Sequence, residues 1–134
     1  MRCLVVDDND FVRAQTEFFL MGVAEIQSAA NGKEAVEMFQ RALAQGTPFD
    51  LVLLDVMMPE LDGQQALKLM REAEKTLDAA TGKKAVIIMT TALSSVDEMQ
   101  EAIIEGDCSD YLVKPIGKDD LLAVLRRHEV IPAA

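Results

Sequence analysis

The chain has 134 residues, a length that fits one domain, and half of them are hydrophobic, which is enough for a substantial core. Its 13 Lys and Arg stand against 23 Asp and Glu, and the formal net charge of −10 argues against direct binding to nucleic acid or to an anionic membrane. No apolar run reaches the length of a membrane span, and no secretory signal pattern opens the chain. Cys3 and Cys108 lack CxxC or metal-ligand spacing, so we expect reduced thiols in a cytoplasmic protein.

Apolar runs typical of strands alternate with segments of helical periodicity along the whole chain. The predicted strands are Arg2–Val6, Glu25–Ala29, 50–54, 85–89 and Asp110–Val113. The predicted helices are 10–21 after a cap at Asp8 or Asn9, 33–45 after Asn31-Gly32, one capped by Asp62, one capped by Ser94 or Ser95, and Lys118–Arg127. Five strands alternating with five helices predict an α/β fold with a parallel sheet and right-handed crossovers. We expect one domain at 1–129 and a frayed tail at 130–134.

Polar side chains stand where four of the predicted strands end. They are Asp7 and Asp8, Asp55, Thr90 and Thr91, and Lys114 followed by Pro115. Because the carboxyl ends of parallel strands meet at one edge of a sheet, where open α/β folds bind ligands, these side chains should converge on one rim.

Three carboxylates at one rim suggest a metal site. The negative charges of Asp7, Asp8 and Asp55 repel one another unless a cation lies among them or a proton is retained. Mg²⁺ prefers oxygen ligands and keeps several of its waters, so a few carboxylate and carbonyl oxygens can hold it.

Asp55 is the candidate nucleophile, because a carboxylate can accept a phosphoryl group to form an aspartyl phosphate. Such a transfer needs positioning and charge neutralisation, which Mg²⁺ and the Lys114 ammonium would supply. A hydroxyl of Thr91 would donate to a third phosphoryl oxygen. Thr90 competes for this role. Because successive strand residues point to opposite faces, only one of the two threonines can face the site.

The segment LLDVMMPELDG at residues 53–63 resembles the phosphoacceptor signature of bacterial response-regulator receiver domains. Asp7-Asp8, Thr91-Ala92 and Lys114-Pro115 match the other fixed positions of that family, in the same order, and the resemblance spans essentially the whole chain. It implies a flavodoxin-like, doubly wound sheet of five parallel strands in the order 2-1-3-4-5, as in the chemotaxis regulator.

The resemblance also implies a role for each matching residue. Asp55 would be phosphorylated, Asp8 would bind Mg²⁺ directly, Asp7 would reach the metal through water, and Met57 would offer its backbone carbonyl. Thr91 would be the switch hydroxyl, with the small Ala92 leaving room for the phosphoryl group. Lys114 would bind phosphate, and a cis Lys114–Pro115 peptide bond would direct its side chain inward. Tyr111 would swing between outward and inward rotamers as Thr91 moves.

These roles describe a signalling domain rather than an enzyme that turns over a metabolite. It would take a phosphoryl group from a histidine kinase or phosphotransfer protein and dock a downstream protein, as a monomer or a phosphorylation-dependent dimer. The expected docking surface includes Met99, Ile103, Tyr111 and Lys118. Because 134 residues leave no room for an output domain, we expect a separate protein as the target.

Alternatives remain open from the sequence. The chain could be a receiver cut from a hybrid kinase or a longer regulator, or a degenerate receiver that only docks. A phosphatase with an aspartate nucleophile would place a second Asp two residues after the first, where this chain has Met57. The chain departs from the family pattern in a longer stretch at 74–84, in one extra residue at 106–111 and in the apolar Leu93. Leu93 predicts slower hydrolysis of the acyl phosphate than a carboxylate or amide at that position would give.

Overall fold

A computed structural model describes residues 1–58, 61–77, 84–92 and 108–132 of the chain. The strands are β1 Arg2–Val6, β2 Glu25–Ala29, β3 Leu51–Asp55, β4 Val86–Thr91 and β5 Asp110–Val113. The described helices are α1 Asp10–Phe19, α2 Gly32–Ala44, α3 Gly63–Leu77 and α4 Lys118–Arg127. The helix predicted after Ser94 or Ser95, with Met99 and Ile103, lies outside the described residues, as does Leu93. The described part therefore has four helices where five were predicted.

The five strands form one parallel sheet in the order β2-β1-β3-β4-β5, which confirms the predicted fold. β1, β3 and β4 are the inner strands of this order, and the continuous apolar runs of β1 and β3 are buried on both faces. In the register of the sheet, Val6 lies opposite Leu54, and Asp55 lies opposite Thr90. The ends of β1, β3 and β4 therefore reach the same edge.

Strand residues alternate between two hydrophobic cores. One core contains Leu4, Val6, Val52, Leu54, Ile87 and Met89 together with residues of α2 and α3. The other contains Cys3, Val5, Leu51, Leu53 and Ile88 together with Leu121, Val124 and Leu125 of α4. Burial raises the pKa of the Cys3 thiol. Both cysteines are buried, and the reduced state of their thiols stays a prediction.

The predicted caps explain where helices begin. The side chain of Asn9 accepts a hydrogen bond from Val12 N at 3.0 Å, so Asn9 rather than Asp8 caps α1. Asn31 accepts from Glu34 N at 2.8 Å at the start of α2. Asp62 accepts from Gln65 N at 2.9 Å while Gln65 Oε1 accepts from Asp62 N at 3.1 Å, a reciprocal capping box for α3.

Helix ends differ modestly from prediction. α1 ends at Phe19 rather than at Met21, and the chain then turns through Gly22, whose φ of +79° favours glycine. The long stretch at 74–84 begins as a continuation of α3 to Leu77, and residues 78–83 lie outside the described part.

The expected frayed tail is wrong for its first residues. Val130 and Ile131 pack, partly buried, against the core under α4, and Val130 N donates to Leu125 O at 3.0 Å. Their apolar side chains account for the contact, because burial removes that surface from water. The boundary at residue 129 stays a prediction. Among the described residues, no helix is both long enough and apolar enough to cross a membrane.

Candidate functional site

Three aspartates meet at the carboxyl edge of the sheet. One carboxylate oxygen from each of Asp7, Asp8 and Asp55 lies within 4.8 Å of the others. Asp7 and Asp55 are only 4% exposed, whereas Asp8 is exposed to solvent. Such an all-oxygen donor set, open on one side, fits a hard divalent cation that keeps part of its water shell.

Lys114 supplies positive charge to the same cluster. Its Nζ lies 2.8 Å from Asp7 Oδ2 and 3.4 Å from Asp55 Oδ1. Burial lowers the pKa of Lys114, but the hydrogen bond to Asp7 and the charges of both aspartates outweigh burial and raise it. The ammonium therefore remains charged. The Lys114–Pro115 bond is cis, and Lys114 N donates to Thr91 O at 2.7 Å.

Asp55 is held in an environment that opposes its charge. Burial, and then the nearby negative charge of Asp7, raise its pKa from 3.8 to about 6, although Lys114 and a hydrogen bond from Met57 N act in the other direction. Met57 N lies 3.2 Å from Asp55 Oδ1. A buried carboxylate of this kind gains from any additional cation that approaches it.

The start of α3 packs directly against the backbone of the Asp55 segment. Gly63 N donates to Val56 O at 3.0 Å. A Cβ at position 63 would collide with the Asp55 carbonyl oxygen and would lie 2.8 Å from Cα of Val56. Only glycine allows this approach, which holds the loop after β3 in place.

The two threonines at the end of β4 are both buried. Thr91 is fully buried, and its hydroxyl donates to the Ala92 carbonyl at 3.0 Å. Thr90 lies opposite Asp55 in the sheet register, and its carbonyl accepts from Val56 N at 3.0 Å. Within the described ranges, neither hydroxyl donates a hydrogen bond to the three aspartates. The choice of Thr91 as the switch residue therefore stays a prediction.

Tyr111 and its neighbours form part of an open surface beside the site. Tyr111 is 40% exposed and Val113 is 36% exposed. Together with Ile116 and Asp120 they line a groove of about 470 Å³ between β5 and α4. Met99 and Ile103 of the predicted docking surface lie outside the described residues.

One further side chain contacts the acid cluster without having been predicted. Arg13 Nη1 donates to the Asp7 carbonyl at 2.7 Å, and Nη2 pairs with Asp10 Oδ1. The spacing of Asp10 and Arg13 along α1 indicates an ordinary i,i+3 pair on a helix surface. Nothing in that spacing shows the contact with the carbonyl of Asp7.

Comparison with known proteins identifies the family. Residues 3–126 match the response regulator receiver domain. The regulatory protein AtoC of Escherichia coli (strain K12) is 38% identical over 128 residues, which cover 94% of this chain and 24% of AtoC. The transcriptional regulatory protein SrrA of Staphylococcus aureus is 35% identical over 131 residues, covering 94% of this chain and 48% of SrrA. The hybrid signal transduction histidine kinase G of Dictyostelium discoideum is 33% identical over 132 residues, covering 96% of this chain and 4% of the kinase.

Solved structures of similar fold come from the same kind of protein as these relatives. The receiver domain of the histidine kinase CKI1 from Arabidopsis thaliana, complexed with Mg²⁺, has a TM-score of 0.81 and 32% identity, covering 95% of this chain and 90% of that one. A chain of the CheX-CheY-BeF3-Mg²⁺ complex from Borrelia burgdorferi has a TM-score of 0.81 and 26% identity, covering 98% and 90%. The chain spans less than half the length of the three curated relatives. It belongs to the response regulator receiver domain family of two-component signalling.

Proposed function

We propose that Asp55 is the phosphoacceptor of this receiver domain. The observation that carries the proposal is the Asp55 carboxylate itself, buried at the end of β3, with an ammonium 3.4 Å away and two further carboxylates within 4.8 Å. An oxygen of Asp55 would attack the phosphorus of a phosphohistidine. The new O–P bond forms as the N–P bond breaks, and the histidine nitrogen leaves with the bonding electron pair.

The acid cluster supports Mg²⁺ as the cofactor of this transfer. Asp8, Asp55 and the Met57 carbonyl would hold the ion, with Asp7 reaching it through water, and the bound ion would neutralise charge on the phosphoryl oxygens. The fit rests on the all-oxygen donor set and on the raised pKa of Asp55, since both favour an added cation.

Lys114 and Thr91 would respond to the new phosphoryl group. Lys114 now divides its contacts between Asp7 and Asp55, and it would turn to a phosphoryl oxygen, because a charge-assisted hydrogen bond forms there. The Thr91 hydroxyl would leave the Ala92 carbonyl for another phosphoryl oxygen. The short side chain of Ala92 would leave room for that oxygen.

A labelling experiment tests the phosphoacceptor. Incubation of the protein with acetyl phosphate and Mg²⁺ should add one phosphoryl group, seen by intact-mass spectrometry, because Asp55 is the buried nucleophile beside Lys114. The Asp55→Asn variant should stay unlabelled, since an amide cannot form the acyl phosphate. Asp119→Asn, an exposed acid at the start of α4, is the control and should label as the wild type does. A label that persisted in Asp55→Asn would refute the assignment.

The physiological donor would be a histidine kinase or a phosphotransfer protein, and the readout would be a protein that docks at the groove between β5 and α4. Phosphorylation adds negative charge and acceptor oxygens that Thr91 and Lys114 can bind, so it can bias a two-state equilibrium. The exposed Tyr111 ring, with Val113 and Ile116 beside it, supports this surface as the one that changes. In this proposal the domain acts either as a monomer or as a dimer that forms on phosphorylation.

Beryllofluoride with Mg²⁺ tests the switch. Because the reagent imitates a phosphoryl group on an aspartate, we expect backbone amide shifts at Thr91, Ala92 and Tyr111 in NMR spectra, with little change at the distant end of α2. The Thr91→Val variant, which keeps the shape but lacks the hydroxyl, should lose the shift at Tyr111 while retaining the shift near Asp55. Wild-type spectra that changed only around Asp55 would contradict the proposed coupling.

Two alternatives concern the whole protein and the reaction. The match to a hybrid histidine kinase favours a second context, in which this domain is one part of a longer kinase or regulator. A phosphatase is disfavoured because Met57, which is 56% exposed, stands where such an enzyme needs an acid/base carboxyl group. We therefore propose a cytoplasmic signalling domain that promotes only its own phosphorylation and dephosphorylation.

A further inference from the structure

Arg13 contacts the acid cluster although the proposed phosphotransfer gives it no role. Its side chain is 19% exposed, whereas that of its partner Asp10 is 89% exposed. The guanidinium makes two contacts, one with the Asp10 carboxylate and one with the Asp7 carbonyl at 2.7 Å. The planar group with five donors suits such a double contact better than an ammonium does.

The carbonyl of Asp7 belongs to the peptide unit that joins Asp7 to Asp8. A hydrogen bond to this oxygen restricts rotation of the peptide plane. The orientation of that plane sets the direction in which the Asp8 side chain projects from the backbone. Arg13 thus acts on the backbone between two proposed metal ligands.

Asp7 and Asp8 differ in how their carboxylates are held. Asp7 Oδ1 accepts from Asn9 N at 2.9 Å, and Asp7 Oδ2 accepts from Lys114 Nζ at 2.8 Å. The Asp8 carboxylate is exposed, and its approach to Asp55 depends on the turn that carries it. The bond from Arg13 is therefore more important for Asp8 than for Asp7.

We propose that Arg13 is a positioning residue for the divalent-cation site, because it holds the Asp7–Asp8 peptide so that Asp8 faces Asp55. The inference rests on the proposed function, since it assumes that these aspartates bind Mg²⁺. Residues that orient metal ligands in this way commonly change metal affinity by about 10–100-fold when they are replaced.

The positive charge of Arg13, taken alone, predicts the opposite change in Mg²⁺ affinity when Arg13 is replaced. A guanidinium that bonds to the Asp7 carbonyl repels a divalent cation approaching the site, so its removal should strengthen Mg²⁺ binding if charge alone matters. Removal should weaken binding if Arg13 positions Asp8. The sign of the change therefore separates the two roles.

The test is a Mg²⁺ titration of the complete chain, with no phosphodonor, followed by isothermal calorimetry and by amide shifts at Asp8 and Asn9. We expect Arg13→Met to raise the Kd for Mg²⁺ by about 10-fold or more. Arg13→Lys keeps the charge but loses the two-pronged geometry, so it should recover only part of the affinity. Arg41→Met removes an exposed arginine in the last turn of α2, and its Kd should stay within about twofold of the wild type.

Asp10→Asn completes the design, because it weakens the outer contact of Arg13 and leaves the bond to the Asp7 carbonyl. Its Kd should stay much closer to the wild type than that of Arg13→Met, and it remains informative if Arg13→Met folds poorly. An Arg13→Met protein with unchanged or tighter Mg²⁺ binding would overturn the inference, as would an equal loss in Asp10→Asn. Phosphorylation of the wild type by acetyl phosphate, measured in parallel, shows whether the proposed function stands when the inference fails.

Discussion

Replacing Glu74 by glutamine should lower the free energy of unfolding by about 3 kcal/mol, because it breaks a buried ion pair and puts a neutral amide in place of the carboxylate that Arg71 and Ala85 N both contact. Both residues are 7% exposed, and Arg71 Nη1 lies 2.7 Å from Glu74 Oε1. Glu74 Oε2 also accepts from Ala85 N at 2.6 Å, so the amide would place a donor against a donor. Removing one partner of such a pair is costly even where the intact pair adds little stability.

The position of the Arg71–Glu74 pair extends the loss of stability beyond α3 to the sheet. Arg71 also donates to Ala85 O at 3.0 Å, and its Nη2 lies 3.5 Å from Ser109 Oγ, which accepts from Ile87 N at 3.1 Å. These contacts connect α3 to the beginnings of β4 and β5. A change at Glu74 therefore affects two strands of the sheet as well as one helix.

Thermal and urea unfolding measure the effect. For a domain of this size, a loss of about 3 kcal/mol corresponds to a decrease in Tm of roughly 10 °C. Glu72→Gln is the matched control, because Glu72 lies exposed on the same helix and its replacement should change stability by less than about 0.5 kcal/mol. Equal Tm values for the two variants would show that the buried pair does not support the fold.

Replacing Asp55 by asparagine should stabilise the metal-free protein by about 3 kcal/mol near pH 8, and this gain should vanish below pH 3.8. The physical reason is the pKa of Asp55, which burial and then Asp7 raise from 3.8 to about 6 in the folded state. Asparagine has nearly the same shape and carries no charge, so it imitates the protonated carboxyl group at every pH.

The direction with pH follows from proton binding. Between pH 3.8 and about 6 the folded state holds the Asp55 proton more tightly than the unfolded state does. The contribution of this group to stability is therefore fully present below pH 3.8 and is lost as the pH rises to about 6. Wild type and variant should agree at low pH and diverge through that window.

Urea unfolding at several pH values, in the presence of a chelator, measures the difference. Asp119→Asn serves as the control, because its exposed carboxyl group should give a difference of less than about 1 kcal/mol at any pH. Added Mg²⁺ should reduce the advantage of Asp55→Asn, since the wild type alone gains from the full donor set. A wild type as stable as Asp55→Asn at pH 8 without metal would show that the folded state tolerates the charge.

The sequence determined the framework of this protein for physical reasons that act locally. Apolar runs such as Leu51–Leu54 have no polar side chain to expose, so they become strands buried on both faces. Asn31 and Asp62 can each accept a backbone N–H, so the starts of α2 and α3 are readable from residue type, whereas Asp8 and Asn9 were both possible caps of α1 until the structure showed the bond to Asn9. Polar residues at the carboxyl ends of the strands then point to one edge of the sheet.

Only the tertiary structure decided how those residues meet. The division of Lys114 between Asp7 and Asp55, and the burial that raises the pKa of Asp55, depend on distances across strands far apart in sequence. Spacing presents Arg71–Glu74 and Asp10–Arg13 as similar i,i+3 pairs on helices. Packing buries the first against Ala85 and brings the second to the Asp7 carbonyl. Local patterns specify which groups are present, whereas long-range packing sets their distances, their solvation and therefore their chemistry.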